Sequence, residues 1–230
     1  FESASGGGGM TLTLGLGGAV NFENLSGTGG ADTITGDSGN NLLWGADGAD
    51  TINGGAGNDT LHGKNKSYSG AGDSNQDDSA NNILNGNAGN DTLVAGNGAD
   101  TLDGGTGADT ITTGTGTDTI IIRTGDGGST LAAADTVTDF TDGTDVISLD
   151  GSLTYSNLTI AQGTGSNSSD TIISAGSEYL AILTGISASN INYYDFTTTA
   201  TGNQNFTGTT DDDVFIGASG VDTATTGTGT

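Results

Sequence analysis

The chain has no cysteine, one histidine and only three Lys or Arg among 230 residues. Without cysteine there are no disulfides to stabilise it. Three basic residues against 28 acidic ones give a formal charge of −25, so the basic footprint of a nucleic-acid binder is missing. No apolar run approaches the ~18 residues that mark a membrane-spanning helix. A catalytic zinc site needs about three protein ligands, usually rich in histidine, and His62 stands alone. Neither H-E-x-x-H nor G-x-S-x-G occurs. His62 reads as a surface residue, and the segment reads as non-enzymatic.

What is present is a period. Residues 27–62 divide into nines as GTGGADTIT, GDSGNNLLW, GADGADTIN and GGAGNDTLH. Residues 86–121 continue as GNAGNDTLV, AGNGADTLD, GGTGADTIT and TGTGTDTII. By composition alone, 31% hydrophobic residues and 44 glycines describe disorder. A fixed register argues otherwise, because a coil with one inward residue per nine needs little apolar content.

Position eight is the one place that is apolar throughout: Ile34, Leu43, Ile52, Leu61, Leu93, Leu102, Ile111 and Ile120, with Leu84 in the same place before the second block. An apolar residue between polar neighbours predicts a very short strand whose middle residue faces inward. Stacked copies bury these residues in a column, each contributing roughly 1.5–3 kcal/mol. Position four is glycine in every line, which predicts a turn at positive φ. Two nines make one coil, with turns alternating between two edges. Position six is Asp32, Asp50, Asp59, Asp91, Asp100, Asp109 or Asp118, with Asn41 and Asn82 as exceptions. Residues 18 apart then share an edge about 4.8 Å apart, which sets Asp32 over Asp50, Asp91 over Asp109 and Asp100 over Asp118. Carboxylates at that spacing repel. Hard cations between them reverse the sign, and Ca²⁺ takes six to eight oxygen ligands, backbone carbonyls included.

GGAGNDTLH matches the consensus GGxGxDxUx in full, and most other lines depart only at the first or second glycine. The chain therefore resembles the repeat-in-toxin (RTX) family, and the expected fold is all-β: a calcium-binding parallel β-roll of nonapeptide repeats with a β-rich C-terminal cap. The resemblance implies Ca²⁺ between turns on each edge. It implies as ligands the position-six carboxylates just named, with carbonyls of Gly27, Gly29, Gly45, Asp47, Gly54, Ala56, Gly86, Ala88, Gly104 and Thr106. Asn41 and Asn82 lack the charge, so weaker or empty sites are expected there. Counting adjacent turns gives roughly five to ten ions.

The sequence divides into N-terminal capping strands (1–26, with Phe22 and Leu25 over the open end), the roll (27–121) with an inserted acidic loop (63–81), a β-rich cap (122–200) and the start of a second roll (201–230). Asp73, Asp77 and Asp78 of the loop are candidates for a further cation. In the cap, ADTVTDFTDGTDVISL resembles the segment that follows the last repeat in many RTX proteins, and Asp135 with Asp139 is a candidate last Ca²⁺ site. Asp213 and Asp222 restart the nines. That restart and the missing initiator Met predict a piece of a longer protein built from roll-plus-cap units.

The leading expectation is an extracellular, secreted structural protein of a bacterial surface layer, sheath or filament, self-associating with Ca²⁺ and leaving the cell by type I secretion. The alternative is a non-catalytic module of a secreted protease, lipase or epimerase. A third reading, adhesion or ice binding by outward threonine rows, is weakened by Leu42 and by Asn and Asp at position nine. No small-molecule substrate, nucleic acid or membrane span is expected.

Overall fold

The structure, a computed structural model, describes residues 2–3, 8–14, 24–64, 79–198, 205–207 and 223–225. The expectations for Phe22, for Asp73, Asp77 and Asp78, and for Asp213 and Asp222 lie outside the described residues. The strands are β1 (Glu2–Ser3), β2 (Thr11–Thr13), β3 (Asn24–Ser26), β4 (Thr33–Thr35), β5 (Leu42–Trp44), β6 (Thr51–Ala56), β7 (Thr60–His62), β8 (Ile83–Ala88), β9 (Thr92–Asn97), β10 (Thr101–Thr106), β11 (Thr110–Thr115) and β12 (Thr119–Ile122). They continue as β13 (Asp135–Val137), β14 (Val146–Leu149), β15 (Leu158–Gln162), β16 (Thr171–Ala175), β17 (Glu178–Leu183), β18 (Phe196–Thr198), β19 (Asn205–Thr207) and β20 (Thr223–Thr225). Short 3-10 turns interrupt the cap, and the described residues contain no α-helix, so none long and apolar enough to cross a membrane.

Odd-numbered strands β1 to β13 form one parallel sheet and even-numbered strands β2 to β14 form the other. The chain crosses between them at every turn, which makes a two-faced β-roll. One sheet aligns Ile34, Ile52, Leu84, Leu102, Ile120 and Ile147 in register. The other aligns Leu25, Leu43, Leu61, Leu93, Ile111 and Val137. The position-eight side chains from Ile34 to Ile111 are fully buried at 0% exposure, so the two columns meet as a single core.

The parallel roll runs further than residue 121. β13 and β14 add a strand to each sheet, and their Val137 and Ile147 extend the two columns. D-T-V and D-V-I keep the step from Asp to an inward apolar residue. A longer connection replaces the glycine turn before β13, while Gly143, at φ 74°, keeps position four before β14. Beyond this coil β17 pairs in parallel with β13 and antiparallel with β16, which pairs in turn with β15, while β18 pairs with β14. Tyr155 packs edge-on against Tyr193 and tilted against Phe196 at this end, with centroids 5.4 and 5.2 Å apart.

The insertion does not disturb the stack. Ladder partners lie 32 residues apart across it, 18 within the repeats and 26 or 27 on entry to the cap. The fourteen extra residues, 65–78, lie outside the described residues. Gly63 donates its N–H to the Val94 carbonyl at 2.9 Å, and Ile83 pairs with Thr51 and Thr101, so both flanks hold the roll's register. On the outer face Trp44 and His62 stack with rings 5.8 Å apart and 7° from parallel.

Candidate metal centre

Turn residues at position four take positive φ at Gly48, Gly57, Gly89, Gly98, Gly107 and Gly116. Position two does the same at Gly55, Gly96, Gly105 and Gly114, and also at Ala46 and Asn87. This double reversal turns the chain sharply and points the position-six side chain back into the roll. Every position-six residue from Asp32 to Asp118 is buried, in a chain where aspartate is ordinarily a surface residue.

From Asp50 onward each position-six carboxylate uses its Oδ1 to accept the backbone N–H of the position-six residue one coil earlier; Asp32 instead accepts Met10 N–H on Oδ1 at 2.7 Å and Thr28 N–H on Oδ2 at 2.5 Å. On the first edge Asp32 N–H donates to Asp50 at 2.8 Å, Asp50 to Asn82 at 2.9 Å, Asn82 to Asp100 at 2.6 Å, Asp100 to Asp118 at 2.8 Å and Asp118 to Asp145 at 3.1 Å. On the second edge Asn41 donates to Asp59, Asp59 to Asp91 and Asp91 to Asp109 at 2.7 Å each, and Asp109 to Asp135 at 3.0 Å. The other oxygen, Oδ2, is buried without a hydrogen-bond partner in Asp59, Asp91, Asp109, Asp118 and Asp135. A buried carboxylate oxygen left unpaired is costly, so a positive partner or a proton is called for.

The space beside that oxygen is made by glycine at position one. A Cβ placed on Gly27, Gly45, Gly54 or Gly86 would stand under 3 Å from Oδ2 of the same turn's Asp and from the position-one carbonyl of the next coil. On Gly104 it would meet Asp109 Oδ2 in the same way. Each cradle thus offers a carboxylate oxygen and a carbonyl across an empty space. Its size suits an ion whose oxygen contacts run about 2.3–2.6 Å. The donor set is all oxygen, which favours a hard cation over zinc or copper. Among the described residues no three acidic or histidine side chains converge, so carbonyls must complete any shell.

The carbonyls expected at positions one and three divide. Those of Gly45, Gly86 and Gly104 face the cradle of the coil before. Those of Ala88 and Thr106 accept the N–H of Gly57 and Gly89, at 2.8 and 3.0 Å, which leaves each a second lone pair. Gly29 stands in open space, and Asp47 donates its own N–H to the Thr28 carbonyl at 3.2 Å.

Asn82 keeps the ladder but changes the cradle. Its Oδ1 takes the Asp50 N–H, which turns Nδ2 toward Gly63, 2.8 Å from where a Cβ would stand. A hydrogen-bond donor faces the place where an oxygen stands elsewhere. Asn41 is turned the other way, with Oδ1 on the Asp37 N–H at 2.7 Å and Nδ2 on the Asp37 carboxylate at 3.2 Å.

Asp135 and Asp139 do not form one site, which corrects the sequence expectation. Four residues apart, they fall on opposite edges. Asp135 continues the second-edge ladder. Asp139 stands on the first edge and accepts the N–H groups of Thr113 and Gly114 at 2.8 and 2.9 Å. Sequence reading also missed Asp145, which closes the first-edge ladder. Its spacing from Asp118 is 27 residues, three nines where the coil elsewhere takes two, although Gly143, Asp145 and Ile147 keep positions four, six and eight.

Burial raises the carboxylates above their ordinary range. Asp91 is pushed up to about 7 by burial, with Asp109 and Asp59 adding like charge. Asp118 is pushed up to about 6 by burial and then by Asp145 and Asp139. Asp59, Asp109 and Asp135 shift upward, again mainly through burial. Arg123 answers a separate group of carboxylates: it pairs with Asp103, with buried Asp126 at 3.4 Å and with Asp150 at 3.4 Å.

The family model of the RTX calcium-binding nonapeptide repeat matches residues 26–61, 77–111, 85–120, 95–129 and 198–230, together just over half of the chain. No curated protein matches. Among solved structures, the extracellular lipase LipA from Serratia marcescens is similar at 18% identity and TM-score 0.39, over 75% of this chain and 39% of that one. The chain thus spans about two fifths of that lipase. The AlgE6R2 subunit of the Azotobacter vinelandii mannuronan C5-epimerase is similar at 19% identity and TM-score 0.39, over 72% of this chain and 91% of that one. The AlgE6R3 subunit of the same epimerase gives 22% identity and TM-score 0.22, over 73% of this chain and 78% of that one.

Proposed function

Since the chain belongs to the family of RTX calcium-binding nonapeptide repeats, we propose that it is a secreted, extracellular structural module: a β-roll unit of a bacterial surface layer, sheath or filament that folds and associates as Ca²⁺ binds. The observation that carries the calcium part is the row of buried, unpartnered Oδ2 atoms at Asp59, Asp91 and Asp109, each beside a glycine that leaves room for an ion. Calcium, when bound, supplies positive charge between carboxylates that otherwise repel. The position-six aspartates, with Asp32 and Asp50 on the first edge, and the position-one carbonyls are the ligands in this reading. A non-catalytic role fits the use of the buried acids as ladder partners.

Support for serial assembly comes from the far end. The family model matches again at 198–230, after the cap, and β19 pairs in parallel with β20 in the same 18-residue register as the roll. Units in series suit a filament or layer. Millimolar calcium outside the cell is the range in which extracellular modules bind.

Calcium titration followed by circular dichroism and light scattering tests both parts. A coil-to-β transition accompanied by growth in particle size is expected. A transition at constant size overturns the assembly role and leaves a calcium-dependent module. No transition at millimolar Ca²⁺ overturns the calcium reading itself.

A further inference from the structure

None of the position-one glycines Gly27, Gly45, Gly54, Gly86 and Gly104 takes a left-handed φ. The backbone does not ask for glycine there; the cradle does. Three turns of the roll carry a side chain in that place instead. Ala95 and Thr113 hold position one before Asp100 and Asp118 on the first edge. Ile122, one residue beyond the Asp103–Ile121 pair, follows Gly104 on the second edge, ahead of Asp135. All three side chains are buried, at 0% or 1% exposure, and Ala95 and Ile122 belong to the apolar core.

We propose that the side chains of Ala95, Thr113 and Ile122 close their own turns to calcium, so that the ions of this roll are confined to the glycine-floored turns. This deepens the calcium reading above and rests on it. A methyl group at position one stands where the space between Oδ2 and the next carbonyl lies in the open turns. An ion and a carbon atom cannot share that space.

The last first-edge turn shows the same closure independently. Thr113 Oγ1 donates to Asp139 Oδ1 at 3.0 Å and lies 3.5 Å from Asp145 Oδ2. Asp139 Oδ2 accepts Gly114 N–H at 2.9 Å, Asp145 Oδ1 accepts Asp118 N–H at 3.1 Å and Asp145 Oδ2 accepts Thr141 N–H at 2.8 Å. Every carboxylate oxygen of Asp139 and Asp145 has a donor from the protein. With the Asn82 amide one coil before Ala95, the first edge is sealed by an amide, a methyl group and a hydroxyl in succession. At the last first-edge turn Asp139 and Asp145 are held by protein donors, whereas the coils with open cradles depend on ions.

Asp118 retains its unpartnered Oδ2, so the oxygen is present and only the room is missing. Removing the side chain then creates a site. Calcium binding to the full chain is measured by equilibrium dialysis, with circular dichroism to show that each variant folds. Ala95→Gly and Thr113→Gly are each expected to bind one more ion than the parent chain. Gly86→Ala, with Gly54→Ala as a second variant, is expected to bind one fewer. If folded Ala95→Gly and Thr113→Gly bind the parent number, the closure is wrong while calcium binding stands. If the parent chain binds no calcium, the calcium reading falls and takes the closure with it.

Discussion

At the scale of the residue, position six combines two roles that an ordinary aspartate keeps apart. Oδ1 joins the backbone ladder and Oδ2 waits for a cation. Asparagine performs the first role and reverses the second, which is why the stack passes through Asn82 unbroken. The raised carboxylates fix the sign of the pH dependence. A folded-state pKa above the ordinary aspartate value of about 3.9 means that the folded chain holds protons the unfolded chain has released. For Asp118 at about 6 and Asp91 at about 7, that stabilisation is complete below about pH 4 and is lost as pH rises through 6 and 7. In excess chelator the β signal in circular dichroism is therefore expected to be larger at pH 5 than at pH 8. The reverse order, without metal, would contradict the burial of these groups. With calcium present the order inverts, because protons compete for the same oxygens. Ala46 offers a second test. It holds φ at 81° where other turns use glycine, and a left-handed alanine costs roughly 1–2 kcal/mol. Offset by the extra chain entropy of glycine, Ala46→Gly is expected to raise stability in denaturant titration by about 0.5 kcal/mol.

At the scale of the element, a three-residue strand is too short to stand alone. Its stability comes from the column above and below. Leu93 pairs between Leu61 and Ile111 and is wholly buried. Leu93→Ala is expected to cost about 2–5 kcal/mol in calcium-saturated urea unfolding, the usual penalty for a core cavity. The neighbouring Thr92→Ala, on the outer face, is expected to stay within about 0.5 kcal/mol. Equal costs at the two positions would mean that the inward and outward faces are misassigned. Arg123, just after β12, ties strand β10 through Asp103 to the β12–β13 connection through Asp126 and to the end of β14 through Asp150. Arg123→Met strands the buried Asp126 carboxylate without its cation, and a loss of about 1–3 kcal/mol is expected, with the cap melting before the roll.

At the scale of the whole molecule, a formal charge of −25 and 31% hydrophobic residues leave little to hold a metal-free chain together. Ligand that binds only the folded state adds stability as RT ln(1 + [L]/Kd) for each site. The thermal midpoint is thus expected to climb with calcium well past the concentration that first folds the chain, and chelation is expected to collapse it. Magnesium at equal concentration is expected to raise the midpoint far less, since it demands near-octahedral contacts at about 2.0–2.1 Å and sheds water reluctantly. Equal midpoints in the two ions would mean that the effect is charge screening and not coordination.

The sequence by itself determined the period of nine, the inward column from Ile34 to Ile120, the alternation of edges and the carboxylate rows that suit calcium. These follow from local spacing, because each coil contacts only its neighbours and one register decides them all. Only the tertiary structure decided where the rows end and which turns stay open. The coil runs on through Val137 and Ile147 because strands stack on the Asp-to-apolar step even where, as before Val137, the glycine turn is gone. Asp139 parts from Asp135, and Asp145 takes its place in the ladder, because the connection between β13 and β14 carries the chain across the roll. The sequence assigned position one a carbonyl role alone, and its inward direction follows only from the stacking of the coils. The exclusion that follows at Ala95, Thr113 and Ile122 is a matter of volume between two coils, and spacing along one strand of sequence does not contain it.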